Sequence, residues 1–264
     1  MNKNKNVIFF LLTYKEQYVK LFEILLKSMD KYSNKPPNFD IVIITHDRLV
    51  KPIKKIKYLK KYTYDFMLYP EPQDLYEALK VKANFFDYPK IDQYKKALFF
   101  DVDIIVQNDL NKLFDEFNPK DNILYALHEQ NGSHYHKFWS LLKYTPAELK
   151  TFYEKKIITF NVGTMMFGIT DKMRKHFENL KHLVNTEKSP FYEQSFFNHY
   201  FNKAQAIDTD FFQNKVVIFP IGDAYYAHPT FIHFAGIGQY EMKTEQMGKY
   251  LQILSKNKHA KLIS

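Results

Sequence analysis

The residues with the clearest chemical potential are two aspartates one position apart, Asp101 and Asp103, with Val102 between them. On an extended backbone, side chains at i and i+2 leave the same face. Two carboxylates so placed repel each other unless a cation sits between them. Oxygen ligands favour Mg2+ or Mn2+, and both ions also chelate phosphates. A metal held there would carry a diphosphate and stabilise its charge as a leaving group. The plainer alternative is a solvated turn that happens to hold two acids. Context weighs against it, because the pair follows the strand-like run Lys96–Phe100 (KALFF) and precedes the apolar Ile104–Val106.

Those carboxylates need elements to carry them. Val7–Thr13 and Asp40–Thr45 are continuous apolar runs, the mark of strands buried on both faces. Lys96–Phe100 is another strand, ending at Asp101, and Thr63–Leu68 is one more. Tyr18–Met29 carries Val19, Phe22, Leu25, Leu26 and Met29 at helical spacing, and Asp74–Asn84 also reads as helix. Asn34–Asn38 holds Pro36 and Pro37 and reads as loop. Later strands are predicted at Thr159–Phe167, Val216–Phe219 and Phe231–Phe234. Thr244–Leu254 predicts an amphipathic helix with Met247, Tyr250, Leu251 and Leu254 on one face, leading into a basic tail. Strands alternating with helices predict an α/β fold, a mainly parallel central sheet flanked by helices. Ligands of such sheets bind beyond the carboxyl ends of the strands, where Asp101 falls.

Bulk properties bound the rest. A chain of 264 residues suits one α/β domain. Its formal charge of +9 rests almost wholly on lysine, since the arginines are Arg48 and Arg174. Sequence-specific nucleic-acid readers lean on arginine forks, so a nucleic-acid partner is set aside. With no cysteine, disulfide and thiolate chemistry are excluded. The run Val7–Leu12 is too short for a signal segment, and no stretch approaches a transmembrane helix. The expectation is a soluble, cytoplasmic protein, with weak peripheral membrane contact through the C-terminal tail left open.

Five stretches, in order, resemble family 8 glycosyltransferases. Tyr94–Phe114 (YKKALFFDVDIIVQNDLNKLF) resembles the family's core signature of strand, DxD, short apolar run and "L..LF". Leu11–Met29 resembles its first strand and helix, whose junction holds the nucleoside. Phe160–Phe167 (FNVGTMMF) is similar to its FNxG segment, which lines the donor sugar. Tyr192–Asn198 (YEQSFFN) is similar to its "DQ…N" segment beside the anomeric carbon, and Ile232–Gly236 (IHFAG) to its metal-binding HxxG. The likeness spans residues 7 to about 240. It implies a single GT-A type domain over 1–264, with a Rossmann-like sheet. The nucleotide-binding half would cover about 1–106, the acceptor and sugar-binding half about 107–243, and a C-terminal helix and tail about 244–264.

The resemblance also implies roles. Asp101, Asp103 and His233 would bind Mn2+ or Mg2+, a reasonable ligand set for that ion. Without the resemblance, His233 reads as a partly buried histidine in an aromatic strand. Thr13 and Tyr14 would meet the base or ribose of a UDP-sugar, Tyr14 by stacking. Lys82 falls near the family's basic donor contact. Val102, Asn161, Gly163 and Gly236 would line the donor, glycine permitting close approach. Gln194 would lie by the anomeric carbon, and Glu193 stands where the family has aspartate. The motif lysine of HxxGxxK is missing, for Gln239 occupies its place, and Lys243 would substitute from the next turn. The implied activity is retaining transfer of a hexose to a glycan, protein or lipid, by front-face attack with the departing phosphate oxygen taking the acceptor proton. Glu193 is the candidate if a carboxylate nucleophile is used instead.

His128–Lys156 matches the family poorly. Its His134, His136 and Trp139 suit an acceptor-binding loop better than a second metal site. Two other classes compete: a degenerate nucleotide-sugar binder, and a haloacid-dehalogenase-type phosphatase with Asp101 as nucleophile. The second needs its motif near the N-terminus, and here about 100 residues precede it.

Overall fold

A computed structural model describes residues 5–32, 36–129, 145, 147–148, 150, 154, 159–186, 189, 192–219, 229–235 and 240–257. Three strand–helix units come first: β1 (Lys5–Leu12) and α1 (Gln17–Tyr32), β2 (Phe39–Thr45) and α2 (Asp47–Lys54), β3 (Tyr64–Leu68) and α3 (Leu75–Lys80). Then follow β4 (Tyr94–Phe100), β5 (Ile104–Val106), α4 (Leu110–Glu116), β6 (Leu124–His128) and β7 (Phe160–Gly168). The described chain ends with α5 (Asp171–Thr186), α6 (Tyr192–Lys203), β8 (Ile207–Asp208), β9 (Val216–Ile218), β10 (Phe231–His233) and α7 (Tyr240–Asn257).

Seven strands form the central sheet in the order β3-β2-β1-β4-β7-β6-β8. The four from β3 to β4 are parallel, as expected, while β7 lies antiparallel between β4 and β6. A second, unforeseen sheet has the order β5-β10-β9. Alternation along β1 explains the two layers. Ile8, Phe10 and Leu12 join the core under α1, with Leu21, Phe22, Leu25, Leu26 and Met29. Val7 and Phe9 join the opposite core, where Phe9 stacks on Phe85 at 4.9 Å between ring centroids. Truncating a fully buried phenylalanine such as Phe9 to alanine costs about 3–5 kcal/mol.

One predicted helix, Asp74–Asn84, is really two elements. Asp74 caps α3 by accepting from Glu77 N at 2.8 Å, and Glu77 accepts in return from Gln73 N at 2.8 Å. From Val81 to Asp87 the chain tightens into 3-10 turns. Such turns eclipse residues three apart, so Lys82 and Phe85 share the buried face.

Candidate active site

Two ladders meet at the end of β4. Phe100 pairs with Thr164 in β7, and the Asp101 N–H donates to the Gly163 carbonyl at 2.8 Å. Three residues later the chain has left the large sheet for the small one. There Ile104 pairs with His233, and Phe234 N donates to the Asp103 carbonyl at 2.9 Å. The backbone turns at Val102 and Asp103 instead of staying extended, because it must pass between sheets. The expected convergence of the two carboxylates survives that turn. Asp101, Asp103 and His233 each offer a ligand atom, all within 4.8 Å of one another. Asp103 Oδ1 lies 3.3 Å from His233 Nε2. Yet among the described residues Asp103 Oδ1 is buried without a hydrogen-bond partner. Orphaned buried polar atoms are rare, and two hard carboxylates with an imidazole suit a divalent cation. The residues present therefore fit the implied metal.

Gly163 is shaped by this cluster. A β-carbon there would stand 2.3 Å from His233 Cε1 and 2.8 Å from Asp101 Oδ2. Asn161 holds the turn by accepting from Gly163 N at 2.7 Å.

Lys82, only 2% exposed, sits over the Phe99 ring at 5.0 Å. Its Nζ bridges Asp101 Oδ1 at 3.1 Å and Glu193 Oε1 at 2.7 Å. Burial would lower its pKa, but the two carboxylates outweigh it and hold the ammonium charged. Burial pushes the Glu193 carboxyl up, against the pull of Lys82. Asp103 is buried too, a raising influence that His233 and Lys243 overcome, leaving its carboxyl well below the usual range. Lys243, in the first turns of α7, reaches Asp103 Oδ2 at 2.5 Å.

The open side of this cluster is a cleft of about 190 Å³. Leu11 lines it from β1, Thr13 and Tyr14 from the turn after β1, Tyr18 from α1, Leu75, Ala78 and Leu79 from α3, and Asp101, Val102, Asp103 and Lys243 from the site. The Thr13 hydroxyl is already engaged, donating to Ala78 O at 3.2 Å. Gln194 lies at the start of α6, entered through Tyr192 in the left-handed region at φ 55. Its Oε1 faces Val162 N at 3.5 Å and its Nε2 donates to Glu129 Oε2 at 3.0 Å. Gly236, Gln239 and nearly all of 130–158, including His134, His136 and Trp139, lie outside the described residues.

Sequence reasoning passed over Glu129 and Tyr18. Glu129 directly follows β6, which runs parallel to β4 because both are antiparallel to β7. It therefore sits at a strand's carboxyl end, as Asp101 does. Recognising the five-residue β6 would have exposed it.

Comparison with known proteins settles the family. The Glycosyl transferase family 8 profile matches residues 9–240. The chain belongs to glycosyl transferase family 8. It is a glycosyltransferase by family, and the phosphatase alternative falls. Among solved structures, the bifunctional glycosyltransferase WbbM superposes with a TM-score of 0.65 at 17% identity, over 94% of this chain and 50% of WbbM. The galactosyltransferase LgtC, solved with donor and acceptor sugar analogues, gives 0.56 at 12%, covering 92% of this chain and 95% of LgtC. Mouse xyloside xylosyltransferase 1 gives 0.57 at 11%, covering 88% and 98%. This family 8 chain thus spans half the length of WbbM but nearly all of the other two. No curated protein matches it by sequence.

Proposed function

We propose that this chain transfers a hexose from a UDP-sugar to a glycan, protein or lipid acceptor, with retention at the anomeric carbon. The observation that carries the reading is the convergence of Asp101, Asp103 and His233 beside a cleft at the carboxyl ends of β1 and β4. Those three residues would hold Mn2+ or Mg2+. When bound, the ion supplies positive charge to a departing diphosphate.

The side chains then divide the work. Tyr14 and Thr13 bound the cleft where the nucleoside would lie. Lys243 brings an ammonium to the metal ligands, and would carry phosphate charge in place of the lysine missing at Gln239. Asn161 and Gly163 keep the sugar's approach narrow. Gln194, braced between Val162 N and Glu129, would face the anomeric carbon. Glu193 is buried against Lys82, so it suits holding Lys82 and Asp101 in place better than attacking a sugar. That favours front-face attack, with the departing phosphate oxygen taking the acceptor proton and the protein supplying position and electrostatics.

A second reading, a nucleotide-sugar binder without turnover, draws on the Lys243 ammonium already seated on Asp103. Thermal unfolding with a panel of nucleotide sugars, with and without Mn2+, tests binding. Ligand at a hundredfold its Kd stabilises by about 2.7 kcal/mol, or roughly 5–10 °C for a chain this size. The expected result is such a shift with one UDP-sugar, dependent on Mn2+ and lost in Asp103→Ala. No shift with any nucleotide sugar sinks both readings. A shift without transfer or donor hydrolysis leaves the non-catalytic one.

A further inference from the structure

The α2–β3 edge of the sheet carries a basic, partly apolar surface that the proposed reaction does not use. Asp47, Val50, Lys51, Lys54 and Lys55 line a shallow groove of about 560 Å³ together with Phe66 and Leu68. Positions 47, 50, 51, 54 and 55 repeat at helical spacing, so they form one stripe along α2. Phe66 and Leu68 alternate along β3 and share a face with Tyr64, whose ring meets Phe66 edge-on at 5.7 Å. Leu68 is 53% exposed, unusual for a leucine ending a strand of the central sheet.

Charge around this apolar strip is one-sided. Lys51, Lys54, Lys55, Lys57, Lys60 and Lys61 are all exposed. Among the described residues only Lys61 of these six has an acidic partner, Asp30. The nearby acids are mostly spent: Asp65 on Lys90 and Tyr88, and Glu71 on Arg48. Asp47 alone stands at one end of the groove. The Lys54 ammonium lies over the Phe66 ring at 5.6 Å and the Lys57 ammonium over the Tyr58 ring at 4.8 Å, each on an exposed side chain.

We propose that this edge docks on a membrane surface bearing anionic lipid. Clusters of four to eight lysines beside an amphipathic helix bind such a surface; here Lys51, Lys54 and Lys55 lie along α2 and at its end, and Lys57, Lys60 and Lys61 follow it. Exposed Leu68 and half-buried Phe66 offer apolar side chains to the headgroup boundary. Pairing with a protein strand is less well served, because the Phe66 N–H at the centre of the edge is taken by Asp65 Oδ1 at 2.9 Å. Strands β3, β2 and β1 are parallel neighbours. Leu68 therefore lies at the same end of the sheet as Thr13, ~10 Å away across two strand spacings. Docking here sets the mouth of the donor cleft beside the membrane plane. The docking is independent of whether the chain transfers sugar.

Cosedimentation with vesicles of phosphatidylcholine, with and without phosphatidylglycerol, reads the proposal directly. Wild-type chain is expected to sediment only with the anionic vesicles and to be released by 0.5 M salt, where the Debye length falls to ~4–5 Å. Each lysine lost should weaken binding about fivefold. The triple variant Lys51→Glu, Lys54→Glu, Lys55→Glu should weaken it more than a hundredfold, with unchanged circular dichroism and melting temperature. Leu68→Gln should weaken binding without altering its salt dependence. Replacing the tail lysines Lys258 and Lys261 should change it less than twofold. The proposal is overturned if wild type ignores anionic vesicles, or if the triple variant binds as well and the tail variant does not. It also falls if charge reversal dissociates a dimer instead, which would make this edge a protein interface.

Discussion

At Gly163 the requirement is for space. Any β-carbon there intrudes on His233, Asn161 and Asp101 at once, all inside 3.0 Å. Overpacking of this kind costs about 1–3 kcal/mol, and the imidazole is the group with least room to give. Gly163→Ala is therefore expected to bind Mn2+ at least tenfold more weakly, read by calorimetry or by the electron-spin signal of free Mn2+. Its melting temperature should drop by only a few degrees. Wild-type affinity in that variant would show that the three ligand residues do not depend on the glycine. At this scale the site was largely legible. Asp101, Asp103, His233 and Gly163 were each marked by residue type and motif, Lys243 only as a substitute for the motif lysine absent at Gln239, and the structure brings the five together. The double ion pair of Lys82 was not legible, since Glu193 lies more than 100 positions away and no local pattern links them.

Among the elements, α6 is tied most closely to β7 through the side chain of Asn198. The Asn198 amide imitates a neighbouring strand: its Oδ1 accepts from Phe160 N at 2.8 Å and its Nδ2 donates to Phe160 O at 2.8 Å. It also donates to Gln194 O at 3.0 Å, one turn earlier. Asn198→Leu keeps the volume and strands both polar groups of Phe160 in a buried place. Each such orphan costs about 1–3 kcal/mol, so urea unfolding should show roughly 2–5 kcal/mol less stability with an unchanged slope. An unmoved midpoint would mean that water or a shifted strand replaces the amide. Element boundaries followed the strength of the local signal. The β1, β2 and β4 runs were readable because both faces are buried. The two-residue β8, and the pairing of β5 with β10, depend on partners more than 80 positions distant and left no local trace. Helix α5 hides its stripe of Met173, Phe177, Leu180 and Val184 among polar residues, and was passed over.

Across the whole molecule the sheet divides its labour between its two ends. The carboxyl ends of β1 and β4 carry the cleft and the acidic cluster. The amino ends carry tyrosines bonded to carboxylates: Tyr94 donates to Asp40 at 3.1 Å and Tyr88 to Asp65 at 2.8 Å. Asp40 is held in turn by Lys5 at the start of β1. Burial, with Asp40 adding to it, pushes the Tyr94 hydroxyl up to about 12, and burial with Asp65 pushes Tyr88 higher still. A group whose pKa is raised on folding stabilises the fold fully below its unfolded value, here about 10, and that contribution is lost as pH rises through the folded value. Tyr94 alone then withdraws on the order of 1 kcal/mol by pH 11, and Tyr88 and Tyr62 act in the same direction. Stability should accordingly be flat from neutral pH to about 10 and fall steeply above it, followed as melting temperature across pH 9–12. Tyrosinate absorbance from the buried set should appear together with loss of far-ultraviolet dichroism, since these hydroxyls ionise only as the amino ends open. Full tyrosinate formation near pH 10 with the fold intact would place them in water and refute the division. Tyr94→Phe tests the same point from the other side. It removes one titrating hydroxyl, so it should move the alkaline transition upward while leaving Mn2+ binding at the far end of the sheet unchanged.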